Sequence, residues 1–230
     1  PLPMPIPPEA PGAAYDPPEG PLVVLHADTA ILAVDKPAGL LSVPGRGPEL
    51  ADCLIARVQA AWPEALLVHR LDRDTSGVIV FALTPAAQRH LGLQFERRHA
   101  RKSYVALLDG HLEPASGTVD LPLVVDWPNR PRQKVCAETG RAAVTDWTVL
   151  RHLVLPDGRP ATRVRLTPHT GRSHQLRVHM LALGHPILGD TLYADGAARD
   201  WPRLMLHAER LGLVHPETGD RMAFRAPVPF

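Results

Sequence analysis

Short apolar runs typical of β-strands recur along the chain from residue 22 onward, and only three helical patterns interrupt them. The predicted strands comprise residues 22–25, 30–34, 66–68, 77–83, 102–108, 144–154, 162–166, 205–207, 211–214 and 222–225. The predicted helices comprise residues 50–61, 85–97 and 173–183, and Thr84 caps the second of them. Because helices and strands do not alternate regularly, we expect an α/β chain of the α+β type. Its sheet should be mixed and largely antiparallel, with helices and loops on its flanks.

Two stretches differ from this strand-rich pattern. Residues 1–20 contain eight prolines and no apolar periodicity, and such a segment gains too little from burial to repay its ordering entropy. Residues 109–141 are rich in Gly, Pro and Asn and predict a long irregular excursion with short strands. We therefore expect a proline-rich N-terminal lead-in over residues 1–20 and one domain over residues 21–230.

Composition narrows the class of protein. Hydrophobic residues make up 45% of the chain and charged residues 21%, which fits a globular protein with a sizeable core. The longest apolar runs fall far short of the roughly 20 residues that cross a bilayer, so no membrane span is expected. The N-terminus lacks the pattern of a secretory signal, and Cys53 and Cys136 form no C-x-x-C site. We therefore expect reduced thiols and a cytoplasmic protein.

Charge is segregated along the chain although the formal net charge is only +1. Residues 1–35 contain acids but no Lys or Arg, whereas residues 158–189 contain five arginines, four histidines and no acid. Only three of the 25 basic residues are lysines, and the guanidinium of arginine suits bidentate phosphate contacts and stacking on bases. The clustering predicts a basic face on a nearly neutral protein, which is typical of nucleic-acid binding.

Polar residues are concentrated in one loop between two strand-like runs. Its charged and polar members include His69, Arg70, Asp72, Arg73 and Asp74. A polar loop held by strands is a common construction of an active site. From the residues alone, two other interpretations remain open: a turn capped by an aspartate beside solvated arginines, and a glycosidase that uses Asp72 and Asp74 as its two carboxylates.

The loop sequence HRLDRDTSG at residues 69–77 resembles the signature loop of the RluA family of RNA pseudouridine synthases. Further segments match the family in the same order along the chain: residues 36–40, 101–106, 169–179, 184–190 and 193–194. The insert over residues 121–135 resembles in particular the dual-specificity members, which act on 23S rRNA and tRNA. The resemblance extends from about residue 21 to the C-terminus.

This resemblance implies a reaction and the residues that perform it. Members of the family isomerise a uridine in RNA: the C1′–N1 bond breaks, the uracil rotates and a C1′–C5 bond forms, without a cofactor or metal. Asp72 matches the catalytic aspartate, Tyr104 the active-site tyrosine, and Arg177 the arginine that pairs with the aspartate. Asp72 would act as a nucleophile at C1′ or as the base that starts an elimination, and the residues leave both routes open.

The pattern of the predicted helix 173–183 is consistent with a position of Arg177 next to the loop that contains Asp72. An apolar stripe along this helix is formed by Leu176, Met180 and Leu183. Ser173 and Arg177 line up next to the stripe at i, i+4, so Arg177 is expected at the edge of the core, facing the loop. The histidines at 169, 174 and 179 are spaced by five, which does not suit a metal site on a helix, and we expect none.

The resemblance also implies how RNA is bound. Arg70 is similar to the family residue that fills the space left by a flipped base. Further candidates for RNA contacts are Arg97, Arg98, Arg101, Lys102, Arg130, Arg132, Lys134 and Arg172. The chain has no room for the S4-type RNA-binding domain of many relatives, so the one domain must recognise the RNA itself. We expect a monomer that acts on a hairpin loop of 23S rRNA, on a tRNA anticodon stem-loop, or on both.

Two alternatives to this function remain. One is the same chemistry at a different rRNA or tRNA site. The other is a non-catalytic RNA-binding or ribosome-assembly protein that keeps the fold. Such a protein would be expected to lack Asp72, Tyr104 or Arg177, and all three are present.

Overall fold

The structure, a computed structural model, describes residues 14–230. The strands in this part of the chain are β1 (Val23–Ala27), β2 (Ile31–Lys36), β3 (Leu66–Leu67), β4 (Ser76–Ala82), β5 (Arg101–Asp109), β6 (Ser116–Asp120), β7 (Leu123–Val125), β8 (Gln133–Val135), β9 (Val144–Val154), β10 (Pro160–Pro168), β11 (Leu206–Val214) and β12 (Arg221–Arg225). The helices are α1 (Leu54–Ala61), α2 (Pro85–Glu96), α3 (Gln175–Ala182) and the single turn α4 (Gly196–Arg199). Short 3-10 turns lie at Pro48–Leu50 and Trp127–Asn129.

Ten of these strands form one sheet in the order β1-β2-β4-β11-β5-β10-β9-β6, with β3 paired to β4 and β12 paired to β11. The pair of β4 and β11 is parallel, and the other pairs between strands of this sheet are antiparallel. Strands β7 and β8 form a separate two-stranded hairpin, called here the β7–β8 hairpin. The expected α+β chain with a mixed, largely antiparallel sheet is confirmed.

Strand β11 lies between β4 and β5, although it comes last but one in the chain. In the parallel pairing, Gly77 lies opposite Ala208. Gly77 has φ +116°, and a Cβ at this position would collide with the backbone of Ala208. Glycine is therefore needed at the start of β4, where the chain leaves the polar loop and enters the sheet.

Helices cover both faces of the sheet around β2 and β4. On one face, Val78 and Val80 pack in a cluster with Ala87 and Leu91 of α2. On the other face, the alternate residues of the same strands cluster with residues of α1; they include Leu32, Val34, Ile79, Phe81, Leu54 and Val58. Because successive strand residues point to opposite faces, β4 is buried along its whole length. A rigid strand thus anchors the end of the polar loop.

A third cluster lies under α3. Leu176 and Met180 of this helix pack with Ala106, Val164 and Leu166 of β5 and β10. Leu183 packs against the same cluster, so the apolar stripe predicted for this helix is confirmed. The burial of one side of α3 fixes its orientation next to the polar loop.

Two predicted helices begin at a different residue in the structure, and two predicted strands form a single strand. The first predicted helix begins at Leu54 and not at residue 50, because the amides of Leu54 and Ile55 donate to carbonyls of the preceding loop. Helix α3 begins at Gln175, since His174 has a left-handed backbone with φ +54°. Ser173 is therefore outside the helix, and its predicted alignment with Arg177 is wrong. The predicted strands 205–207 and 211–214 are one strand, β11, with an irregularity in its pairing with β5 between Ala208 and Arg210.

The predicted lead-in over residues 1–20 falls largely outside the described residues. Within its described part, the Tyr15 hydroxyl donates to the Asp52 carbonyl at 2.9 Å and accepts from the Leu41 amide at 3.1 Å. Arg57 of α1 donates to the Pro18 carbonyl at 2.9 Å. Residues 14–20 thus lie against the start of α1. No helix within residues 14–230 has the length and apolar character needed to span a bilayer.

Candidate active site

A cleft of about 1070 Å³ opens beside the polar loop that contains Asp72. Most of its lining comes from residues 41–46 before α1, residues 69–73 with Thr75, the start of β5, and residues 168–177 leading into α3. Asp72, Tyr104 and Arg177 are all among the lining residues. The structure therefore brings together the three residues that the resemblance assigned to catalysis.

The segment over residues 69–75, called here the catalytic loop, is fixed by hydrogen bonds on both sides of Asp72. Ser42 donates to the Leu71 carbonyl at 2.6 Å and accepts from the Leu71 amide at 3.2 Å. The buried ammonium of Lys36 donates to the Arg73 carbonyl at 2.7 Å, and also to two carbonyls of its own turn. The residues that flank Asp72 are thus fastened to the loop that follows β2.

His69 anchors the beginning of the catalytic loop. Its Nε2 accepts a hydrogen bond from the Val80 amide at 3.0 Å, and its ring stacks on Phe95 with 4.5 Å between the ring centroids. Burial, with a smaller effect from the positive charge of Lys102, lowers the pKa of His69 to about 3. The imidazole is therefore neutral at pH 7, which its role as an acceptor requires.

Arg177 is buried behind Asp72 and held by a residue that was not predicted from the sequence to belong to the site. Its Nε and Nη2 each donate to a carboxylate oxygen of Asp190 at 2.8 Å, whereas its Nη1 lies 3.4 Å from Oδ2 of Asp72. Asp190 is fully buried and also accepts from the amides of Leu192 and Tyr193. The predicted pair of Arg177 and Asp72 exists, but Asp190 is the closer partner of the guanidinium.

The carboxylate of Asp72 is ionised at neutral pH. Burial tends to raise the pKa of this group, but the positive charges of His174, when protonated, and of Arg177 outweigh burial, so the pKa lies below its ordinary value. The side chain stays 30% exposed to the cleft. A charged carboxylate that remains open to the cleft can act on a bound molecule as a nucleophile or as a base.

Tyr104 lies in the middle of the sheet, where β5 pairs with both β10 and β11. Its backbone is opposite Leu166 on one side and Ala208 on the other. Burial and the negative charge of Asp72 raise the pKa of its hydroxyl well above the ordinary value. The phenol therefore keeps its proton at pH 7 and offers a neutral aromatic ring to the cleft.

Four of the predicted RNA-contact residues line the cleft: Arg70, Arg98, Lys102 and Arg172. Three further arginines that were not predicted as RNA contacts also line it: Arg46, Arg73 and Arg141. Burial lowers the pKa of Arg172, and the nearby charges of Arg141 and Arg98 lower it further. Arg98, Arg141 and Arg172 are called here the arginine cluster. Arg98 and Arg141 are thus close enough to Arg172 for their charges to act on it, as expected of a site that attracts phosphate.

The other predicted RNA-contact residues do not line the cleft. Arg97 follows α2 directly and Arg101 is the first residue of β5, and both are exposed. The remaining three belong to the insert, where Arg130 lies 4.7 Å from the ring centroid of Trp127, Arg132 stacks on another aromatic ring, and Lys134 faces Asp126. Their role in RNA binding stays a prediction.

Candidate metal ligands and cysteines were predicted to be scattered, and the described residues can be compared with that expectation. Within residues 14–230, no three side chains of His, Cys, Asp or Glu form a group that could hold a metal ion. Cys53 is a buried free thiol, and Cys136 is a free thiol beside Thr139. That the reaction needs no metal or cofactor stays a prediction.

The chain is similar to known proteins over most of its length. The family model described as RNA pseudouridylate synthase matches residues 30–182. The chain is 56% identical over 218 residues to "Dual-specificity RNA pseudouridine synthase RluA" of Escherichia coli strain K12, covering 94% of this chain and 98% of the relative. It is 50% identical over 219 residues to the protein of the same name from Pasteurella multocida, again covering 94% and 98%.

Two solved structures are similar to this fold. "Human RNA Pseudouridylate Synthase Domain Containing 1" has a TM-score of 0.76 and 30% identity, covering 96% of this chain and 87% of the other. "Human RNA Pseudouridylate Synthase Domain Containing 4" has a TM-score of 0.71 and 26% identity, covering 90% and 88%. The chain is thus similar to pseudouridine synthases both in sequence and in fold.

Proposed function

The chain belongs to the RNA pseudouridylate synthase family and is an RNA pseudouridine synthase; we propose that it isomerises one flipped uridine in the cleft with Asp72 as its catalytic carboxylate. The observation that carries this proposal is the position of Asp72. Its ionised carboxylate is open to the cleft, with the guanidinium of Arg177 at 3.4 Å behind it.

The chemistry requires the target uridine to leave the base stack, because C1′ and C5 are inaccessible inside a helix. Extrusion costs a few kcal/mol and is cheapest in a loop, where the base is already poorly stacked. Arg70 lines the cleft two residues before Asp72. Its planar guanidinium is suited to stack where the uridine was and so to offset part of this cost.

Asp72 then serves the isomerisation as an anion. It either attacks C1′ as the uracil departs, or removes a proton from the ribose to start an elimination, and both routes need the ionised form. In either route Arg177 keeps the carboxylate charged and aimed at the ribose. Tyr104 offers its ring as a stacking surface for the detached uracil. Because its hydroxyl keeps its own proton, it can take up the C5 proton only as it passes that proton to a base, and the nearby carboxylate of Asp72 is the candidate.

For the substrate, we propose a hairpin loop of 23S rRNA and a tRNA anticodon stem-loop. The relatives at 50–56% identity are named for dual specificity toward RNA. The arginine cluster on the wall of the cleft supplies charge for the phosphates of a folded loop. The same proposal has the protein working as a monomer in the cytoplasm, without a metal ion.

Release of tritium from C5-tritiated uridine tests the reaction and its catalytic residue together. Both RNAs are offered separately to the wild type, to Asp72→Asn and to Asp74→Asn. Asp74 is the matched control, because it is in the same loop, pairs with Arg73 at 2.9 Å and does not line the cleft. We expect release by the wild type and by Asp74→Asn, and a loss of at least about 1,000-fold for Asp72→Asn.

Each result has a distinct meaning. Activity retained by Asp72→Asn but lost by Asp74→Asn would transfer the catalytic role to the neighbouring carboxylate. Release from only one of the two RNAs would reduce the substrate proposal to that RNA. Binding of both RNAs without release, repeated on total RNA, would favour the non-catalytic RNA-binding protein.

A further inference from the structure

Tyr193 joins the β7–β8 hairpin to the residues behind Asp72. Its side chain is buried, and its hydroxyl oxygen accepts a hydrogen bond from the Gln133 amide of β8 at 2.7 Å. The same hydroxyl lies 2.7 Å from Nδ1 of His174. The ring lies between two guanidinium groups, with Arg132 of the hairpin 5.4 Å and Arg177 of α3 5.2 Å from its centroid.

The hydrogen bonds of Tyr193 determine where the proton of His174 lies. The Gln133 amide can only donate, so the phenol oxygen accepts from it and the phenol proton needs an acceptor. Among the described residues, the acceptor facing the hydroxyl is Nδ1 of His174. Nδ1 therefore carries no proton, and in the neutral imidazole the proton is on Nε2.

Nε2 is the ring nitrogen on the side of the carboxylate of Asp72. Nε2 lies 4.0 Å from Oδ2 of Asp72, and the side chain of His174 is only 9% exposed. Burial lowers the pKa of His174, against the attraction of Asp72, so the neutral form dominates at pH 7. Arg177, Asp190 and Asp74 also act on the pKa of this ring. A small approach of the loop would turn the separation of 4.0 Å into a hydrogen bond.

The backbone explains how His174 reaches this position. It has φ +54° at the residue that precedes α3, a conformation that non-glycine residues seldom adopt. Such a backbone persists where the surrounding contacts hold it, and it is most often found at functional sites. Here it orients the imidazole between Tyr193 and Asp72.

We propose that His174 is a positioning residue for Asp72, and that the β7–β8 hairpin fixes its tautomer through the Gln133 amide and the hydroxyl of Tyr193. The proposal rests on the catalytic role proposed for Asp72. It gives the hairpin a task beyond contact with RNA: the position of its backbone decides whether an N–H donor faces the carboxylate.

The tautomer is tested directly by NMR on protein with 15N-labelled histidine, which distinguishes protonated from unprotonated ring nitrogens. We expect His174 of the wild type to carry its proton on Nε2. In Tyr193→Phe, which removes the donor to Nδ1, we expect a shift toward the Nδ1–H form. A wild-type ring protonated on Nδ1, or a tautomer unchanged in Tyr193→Phe, would overturn the proposal.

The effect on Asp72 is tested by kinetics on the preferred RNA. His174→Leu should lower kcat by roughly ten- to a hundredfold, the equivalent of one hydrogen bond to a charged group, with KM unchanged. His174→Gln should recover most of kcat, because its amide can donate to Asp72 while its carbonyl accepts from Tyr193. Unchanged kcat in His174→Leu, or a change confined to KM, contradicts the positioning role.

Two controls distinguish a positioning role for His174 from a purely structural one. Thermal unfolding of both His174 variants shows whether the fold survives, and rescue by His174→Gln is not expected of a residue that only fills space. If Asp72→Asn remains active, the proposed role of Asp72 fails whatever the NMR result. If Asp72→Asn is inactive and His174→Leu is fully active, only the positioning role of His174 fails.

Discussion

Arg177 and Asp190 form a two-point ion pair in the interior, with both N–H···O distances at 2.8 Å and both side chains almost inaccessible to solvent. Burial tends to lower the pKa of Arg177, but the hydrogen bonds and charge of Asp190 raise it above its already high ordinary value. The pair joins α3 to the turn that follows residue 189. Nη1 is left to face Asp72, so Arg177 can orient this carboxylate while the charge of the guanidinium is already balanced by Asp190.

Removal of Asp190 should therefore destabilise the protein severely. Asp190→Asn leaves the buried charge of Arg177 with half of its partners, and breaking a buried pair in this way costs about 3–5 kcal/mol. Asp157→Asn is the control, because Asp157 is an exposed partner of Arg159 and its loss should leave the stability nearly unchanged. Urea denaturation of both variants measures the difference. Equal losses would mean that Asp190 is no more important than a surface carboxylate.

RNA affinity should depend on salt through the arginine cluster. Substitution of Arg98, Arg141 or Arg172 by Ala removes a phosphate contact, so the slope of log K against log salt should become shallower by roughly 0.7–0.9 for each residue. Arg225→Ala is the matched control, since Arg225 is exposed on β12 and does not line the cleft. Filter binding or fluorescence anisotropy at several salt concentrations gives the slopes. A slope changed equally by Arg225→Ala would remove the cluster from the binding site.

His69 should make the protein less stable in acid. Its pKa of about 3 lies far below the value of roughly 6.5 in an unfolded chain, so the unfolded state binds the proton more readily. Above about pH 6.5 the neutral ring makes its full contribution to the free energy of unfolding. As the pH drops from there toward 3, this contribution falls by up to about 1.4 kcal/mol per pH unit.

His69→Gln isolates this contribution, because a glutamine carbonyl can accept from the Val80 amide but does not titrate. As the pH falls from about 7 to about 4.5, the free energy of unfolding of the wild type should decrease more than that of His69→Gln. Denaturation curves at several pH values give this difference, and the other buried histidines cancel from it. A difference independent of pH would show that His69 is not buried in its neutral form.

Replacement of Gly77 and of Gly92 by alanine should change the stability of the protein in opposite directions. Gly77→Ala forces a Cβ against the backbone of Ala208 at a positive φ, and we expect a loss of about 2 kcal/mol or more. Gly92→Ala places the same methyl group in open space on α2 and should stabilise the protein by up to about 1 kcal/mol. Thermal unfolding of the two variants tests both signs. A tolerated Gly77→Ala would show that β4 and β11 can separate without cost.

Elements that depend on nearby residues in the chain could be predicted from the sequence. The cap of α2 is where Thr84 predicts it, and the side chain of Thr84 accepts from the Ala87 amide. The fold class and the assembly of Asp72, Tyr104 and Arg177 in one cleft also followed from sequence patterns and from the resemblance. These features depend on short-range periodicity or on motifs that were visible as strings of residues.

What could not be predicted depends on contacts distant in sequence. Asp190 was part of a recognised segment, but nothing in a single sequence distinguishes a buried partner of Arg177 from a turn aspartate. The left-handed backbone of His174 is held by its surroundings and not by its own preference. The start of α1 was misplaced, since it is set by carbonyls of Leu41 and Ser42 that only the folded chain brings there.

The place of β11 between β4 and β5 has a consequence for how the protein is made. Strands β4 and β5 leave the ribosome long before β11, and neither can complete its pairing until residues 206–214 have been synthesised. Such a dependence on distant pairings slows folding, because the entropy of closing long loops is lost before the contacts form. Until β11 has been synthesised, β4 and β5 of the nascent chain each have one edge whose backbone N–H and C=O groups lack their partner strand. The loop that contains Asp72 leads into β4 and Tyr104 lies on β5, so β11 must be in place before these two residues share one cleft.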